Sequence, residues 1–132
     1  MFRPVHGILL DVVLAHPEGI SVNALASLVR GKAARSIVVK EVRKLAEMGL
    51  VRISGDEKHK QKRLIRPEKE LTDLSKRFRE LRSSNFEDAM RNIPRMLLLL
   101  REVKRSSRDS HLVDYLKYKV REELSHVMEV IV

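Results

Sequence analysis

A chain of 132 residues can bury one core, or a small domain with a helical extension, and is too short for two large independent domains. It carries 27 Lys and Arg against 18 Asp and Glu, and this net charge of +9 points to a polyanionic partner. The lack of cysteine excludes a disulfide framework, a thiolate nucleophile and a Cys-ligated zinc site.

The charge is unevenly placed. Met1 to Pro67 holds 13 basic and 6 acidic residues, whereas Glu68 to Val132 holds 14 and 12, so the electrostatic face is expected in the first half. We read two parts, 1–67 and a helical extension 68–132. The longest purely apolar run, Met96 to Leu100, is far too short to cross a bilayer, and no basic-then-apolar signal opens the chain. A soluble cytoplasmic protein without a membrane partner is expected.

Val5, Ile8, Leu9, Val12 and Val13 recur at the three-and-four spacing of an amphipathic helix, which His16-Pro17-Glu18-Gly19 stops. Ile20-Ser21-Val22 is a short β-branched stub. Ser21 or Asn23 can cap a second helix with Leu25, Ala26, Leu28 and Val29 on its apolar face. A third helix, Ala33 to Met48, gathers Ile37, Val38, Val42, Leu45 and Met48 on one side, and Gly49 is placed to end it in the left-handed conformation. Leu50 to Ile53 and Lys62 to Arg66 read as the strands of a basic hairpin closed before Pro67.

Beyond Glu68 the pattern is helical. Leu71, Leu74, Phe78 and Leu81 form one stripe, and Ser83-Ser84-Asn85 breaks and recaps the chain. Phe86, Met90, Ile93 and Leu97 continue at helical spacing, but Pro94 lacks an N–H, so a kink or a new helix is expected near Asn92. After the polar Arg105 to Arg108, Asp109 or Ser110 can cap a last helix carrying Val113, Leu116, Val120, Leu124, Val127 and Ile131. That near-heptad stripe suits a coiled-coil-like dimer seam, with intrachain core as the alternative.

Helix, stub, helix, tight turn, helix and basic hairpin are the element order of a winged helix-turn-helix. Ile20 to Ile53, ISVNALASLVRGKAARSIVVKEVRKLAEMGLVRI, resembles the winged helix of bacterial and archaeal regulators such as the MarR family, most recognisably in LAEMGLVRI. The resemblance implies that Val38, Val42 and Leu45 pack the third helix onto the first two. It presents Arg35, Ser36, Val39, Lys40 and Arg43 to the major groove of double-stranded DNA, with Lys32 and Ala33 near phosphate at the helix start. Arg can donate twice to guanine, Ser is a tolerant donor or acceptor, Val39 can touch a thymine methyl, and Lys40 and Arg43 can instead hold phosphates. Lys58, His59, Lys60, Lys62 and Arg63 fall at the hairpin tip, as in a wing that follows the DNA backbone.

Two departures from the family stand out. The chain begins at the first core helix with no dimerisation helix before it, which leaves dimerisation to the C-terminal helices, as in PadR-like and small archaeal regulators. Glu41 stands where the family usually has an apolar residue. The expected fold is therefore mostly α with a small β-hairpin, a winged helix-turn-helix followed by C-terminal dimerisation helices. The expected function is a homodimeric, sequence-specific transcriptional regulator acting as a repressor. A nucleoid-organising DNA-binding protein and a winged-helix protein–protein adaptor are the alternatives.

The bland readings are solvated helix-face charges, a solvated loop at Lys58 to Arg63, and a Leu97 to Leu100 segment buried on most sides rather than an effector box. His111 and Asp114 lie one turn apart without a third ligand, so no metal or other cofactor is expected. Five glycines form no phosphate-cradling motif, and no nucleophile with a base or paired catalytic carboxylates can be picked out, so no enzyme is expected.

Overall fold

The computed structural model describes residues 2–55, 63–106 and 109–132. The chain divides into two compact units, Met1–Thr72 and Asp73–Val132.

In the first unit, α1 (Pro4–Leu14) starts with Pro4 in the first turn, where a missing N–H costs no helical bond. It buries His6, Gly7, Leu9, Leu10 and Val13. The turn after it needs Gly19, whose φ is +113°; a Cβ there would meet the Leu64 Cβ at 3.0 Å. The stub forms a short strand, β1 (Ile20–Ser21), and Ser21 caps α2 (Val22–Leu28) by accepting the Ala24 N–H at 3.1 Å.

The third helix, α3 (Arg35–Glu47), buries Val38, Glu41, Val42 and Leu45, one stripe at helical spacing. It ends as Gly49 requires. With φ +78° at Gly49, the Leu50 N–H reaches the Leu45 carbonyl and the Gly49 N–H reaches that of Ala46, a Schellman closure. The chain then enters β2 (Val51–Gly55) and returns as β3 (Arg63–Pro67), with Val51 opposite Pro67, Ile53 opposite Ile65 and Gly55 opposite Arg63.

The stub does more than precede a helix. Ile20 pairs with Ile65 and Ser21 with Leu64, so the sheet has three antiparallel strands in the order β1-β3-β2. Leu9, Leu10, Val13, Leu25, Val38, Leu45, Leu50 and Ile65 are fully buried in this unit, each contributing about 1.5–3 kcal/mol of transfer free energy. That core fixes α3 against α1 and α2 and leaves its opposite face outside.

α4 (Lys69–Arg79) leads into the second unit, which is completed by α5 (Phe86–Ser106) and α6 (Ser110–His126), the last running on as a π-helical turn, Val127–Ile131. Asn85 accepts the Asp88 N–H at 2.8 Å and Asp109 accepts that of His111 at 2.8 Å, so α5 and α6 are both capped by their own side chains. Buried Glu123 receives the turn before α5. Its carboxylate accepts the Ser83 N–H at 3.1 Å and lies 3.5 Å from Arg82, whose carbonyl takes the Asn92 amide at 3.3 Å.

The break expected near Asn92 does not occur: α5 is one helix through Pro94. The proline sits on an exposed face, where water can take the bond that the Met90 carbonyl loses. Leu97 to Leu100 is not buried on most sides either. Leu99 is buried and Leu100 half-buried, but Leu97 is 51% and Leu98 63% exposed. In the stripe of α6 and its π-helical turn, Val113, Leu116, Val120 and Val127 are covered by their own chain, and Leu124 and Ile131 are half-buried.

The protein is thus mostly helical, with a small three-stranded sheet ahead of the C-terminal helices. Two helices joined by a tight turn and followed by a β-hairpin make a winged helix-turn-helix.

Candidate nucleic-acid interface

The stripe that buries Val38, Val42 and Leu45 decides what α3 shows to solvent. Arg35, Ser36, Lys40 and Arg43 are exposed and Val39 is half-buried, while Lys32 is exposed in the turn before the helix. Each of the α3 positions named from the resemblance therefore lies off the buried stripe. Arg63 is exposed at the start of β3. Lys58, His59, Lys60 and Lys62 lie outside the described residues.

Arg35 has a fixed start. Its Nη1 donates to the Asn23 side-chain oxygen on α2, so the first guanidinium of α3 is tied to the other helix of the motif. Asn23, the other candidate cap of α2, does not cap it. Ser21 takes that role, which leaves the Asn23 amide for Arg35. Arg66 braces the sheet beneath: its Nη1 donates to Ser54 Oγ at 2.6 Å and its Nε to the Glu18 carbonyl at 3.1 Å. Two further arginines are exposed outside the set that the motif implies, Arg30 after α2 and Arg52 on β2, the latter 4.0 Å from Glu68.

Glu41 is the least expected member. It sits between Lys40 and Val42, yet is only 1% exposed. His6 Nδ1 accepts the Arg3 backbone N–H at 2.9 Å, so the single ring proton of the neutral imidazole is on Nε2, which donates to Glu41 Oε2 at 2.7 Å. Arg3 donates to the other carboxylate oxygen, and Lys44 stands 3.7 Å away. The carboxylate thereby ties the start of α1 to the middle of α3. A buried charge is tolerated when both of its oxygens are engaged. The departure from an apolar residue is thus met by partners more than thirty residues away in sequence.

In the second unit, Leu98 and Leu99 line an open cleft of about 340 Å³ with Leu81, Arg77 and Arg95. Arg77 donates to Glu102 across its rim at 2.6 Å. Among the described residues, no three His, Asp or Glu side chains are grouped to hold a metal ion, and no helix is long and apolar enough to cross a membrane.

The architecture is that of a winged helix-turn-helix, with an exposed basic face on α3. Among solved structures, the chain is similar to the S. aureus protein MepR in its complex with DNA, at 19% identity and a TM-score of 0.54 over 80% of each chain. It is also similar to a single-substitution mutant of MepR, at 16% identity and a TM-score of 0.52, over 96% of this chain and 80% of that one. No protein-family model and no curated protein matches the sequence.

Proposed function

We propose that this protein is a sequence-specific transcriptional regulator of double-stranded DNA that works inside the cell as a homodimer and represses by occupying a promoter. One observation carries the reading: the outer face of α3 offers Arg35, Ser36, Lys40 and Arg43 together, on a helix held at its start by Asn23 and at its middle by Glu41. The MepR structure with DNA supports it as a likeness of fold. Two α3 helices in successive major grooves would read half-sites about 10 bp apart, with the hairpin residues Lys58, His59, Lys60, Lys62 and Arg63 on the flanking backbone.

Selection from a random duplex library with the purified protein tests this, followed by binding to the enriched duplex at several salt concentrations. An inverted repeat with steep salt dependence is expected. Binding without enrichment would replace the regulator by a nucleoid-organising role, and no binding would leave an adaptor.

A further inference from the structure

The outer face of α5 carries an apolar stripe from Phe86 to Leu100 that is left largely open among the described residues. Phe86 is 52% and Met90 65% exposed; Leu97 is half exposed, and Ile93 and Leu100 are partly open. Their spacing, 86, 90, 93, 97 and 100, is the alternating four-and-three step of a heptad seam. The inner face uses Ala89, Asn92, Met96, Leu99 and Val103, the same rhythm displaced by one residue, or about 100° around the helix. The run Met96 to Leu100 therefore draws on two adjacent stripes, Met96 and Leu99 on the buried one and Leu97 and Leu100 on the open one, with exposed Leu98 on neither.

We propose that this open stripe pairs with the same stripe of a second copy, antiparallel, about a two-fold axis near the middle of α5. The occupant and its direction follow from charge. The first turn of α5 is acidic, with Glu87 and Asp88, and its end is basic, with Arg101, Lys104 and Arg105. Glu87 and Arg101 are both exposed and both directly follow seam residues, Phe86 and Leu100. A parallel pair sets the acidic start of one α5 at the level of the other's acidic start, and basic end at the level of basic end. An antiparallel pair sets Glu87 near the second copy's Arg101, at both ends at once. It also layers Met90 on Leu100 and Ile93 on Leu97, and brings Lys104 over the Phe86 ring. The stripe is thus its own complement in shape and in charge, as a closed two-fold contact requires.

This pairing rests on the homodimer in the proposed function and gives it a surface. The experiment separates the two. Sedimentation of the full chain over a concentration series is expected to give a dimer, and Met90→Glu with Leu97→Glu to weaken self-association roughly a hundredfold with an unchanged helical spectrum. Both positions are more than half exposed, so folding does not depend on them. Because the chain has no cysteine, direction can be read directly. Met90→Cys and Leu100→Cys, each alone in a glutathione buffer, are expected to stay uncrosslinked, and their mixture to form a mixed disulfide dimer.

A monomeric wild type, a dimer indifferent to the double Glu variant, or Met90→Cys crosslinking to itself would overturn the proposal. A monomer that still enriches a duplex would remove this pairing and leave DNA binding standing. A dimer that enriches none would do the reverse.

Discussion

α3 and α5 are both amphipathic helices with one buried stripe, and they differ in what the other side carries. On α3 the outward positions include Arg35, Ser36, Lys40 and Arg43, with Ile37 45% exposed beside them; on α5 they include Phe86, Met90 and Leu97. Charge is stable against water and gains on meeting a polyanion, through release of condensed counterions. An apolar stripe of that length gains only by leaving water. The first unit thus has a charged face that a polyanion would complement, and the second an apolar face that gains on being covered.

The comparison breaks most severely at Glu41, because the charged face of α3 hangs on a buried anchor. Replacing it by Ala removes the carboxylate that the buried His6 N–H and Arg3 share and is expected to cost about 2–3 kcal/mol, read from urea unfolding midpoints. Changing both partners, Glu41→Leu with His6→Leu, should recover part of that loss, since the groups that then lose a partner, the Arg3 backbone N–H and guanidinium, lie nearer to solvent than the His6 ring. If the single and double variants are equally unstable, the network is not what holds the helix.

On the face itself, Arg35→Ala or Arg43→Ala is expected to cost about 1–3 kcal/mol of specific binding and relax base preference where either pairs with guanine. An unchanged preference in the repeated selection would assign that residue to phosphate. Lys60→Ala with Lys62→Ala should weaken binding to all duplexes alike and lower the salt slope by about 2, and an unaltered slope would remove the wing from the backbone contact.

Gly19→Ala is expected to cost about 1–2 kcal/mol of stability at unchanged sequence preference, from the positive φ and the close Leu64 Cβ. The smallest effect belongs to Asn23→Ala. It frees Arg35 while keeping its charge, and should lower specific affinity by under about 1 kcal/mol with no change in salt slope.

Much of the fold was legible because its signals are local. Gly49 after an apolar helix, Ser21 before one, Asn85 and Asp109 ahead of polar-to-apolar transitions, and the three-residue rhythm of α3 each act within one turn of chain. The exposed α3 face was legible through the motif. Asn23 and Glu41 were not assigned their roles, since a side chain's partner 12 or 35 residues away leaves no mark on local periodicity. Arg52 carries no such signal, because a lone basic residue in a strand is common on any surface.

The sequence by itself determined the order of elements, most of their ends to within a few residues, the basic bias of the first half, and two apolar stripes at helical spacing, one along α5 and one from Val113 to Ile131. Tertiary structure decided which stripe lies inside. Val113, Leu116, Val120 and Val127 are covered by their own chain, and the 86–100 stripe is left open. It also decided that Pro94 stays within a helix and that the β1 stub joins the hairpin as a third strand. The physical reason is common to these cases: hydrophobic burial has no direction of its own, so an apolar stripe specifies that something must cover it, and only the packed neighbours settle what does.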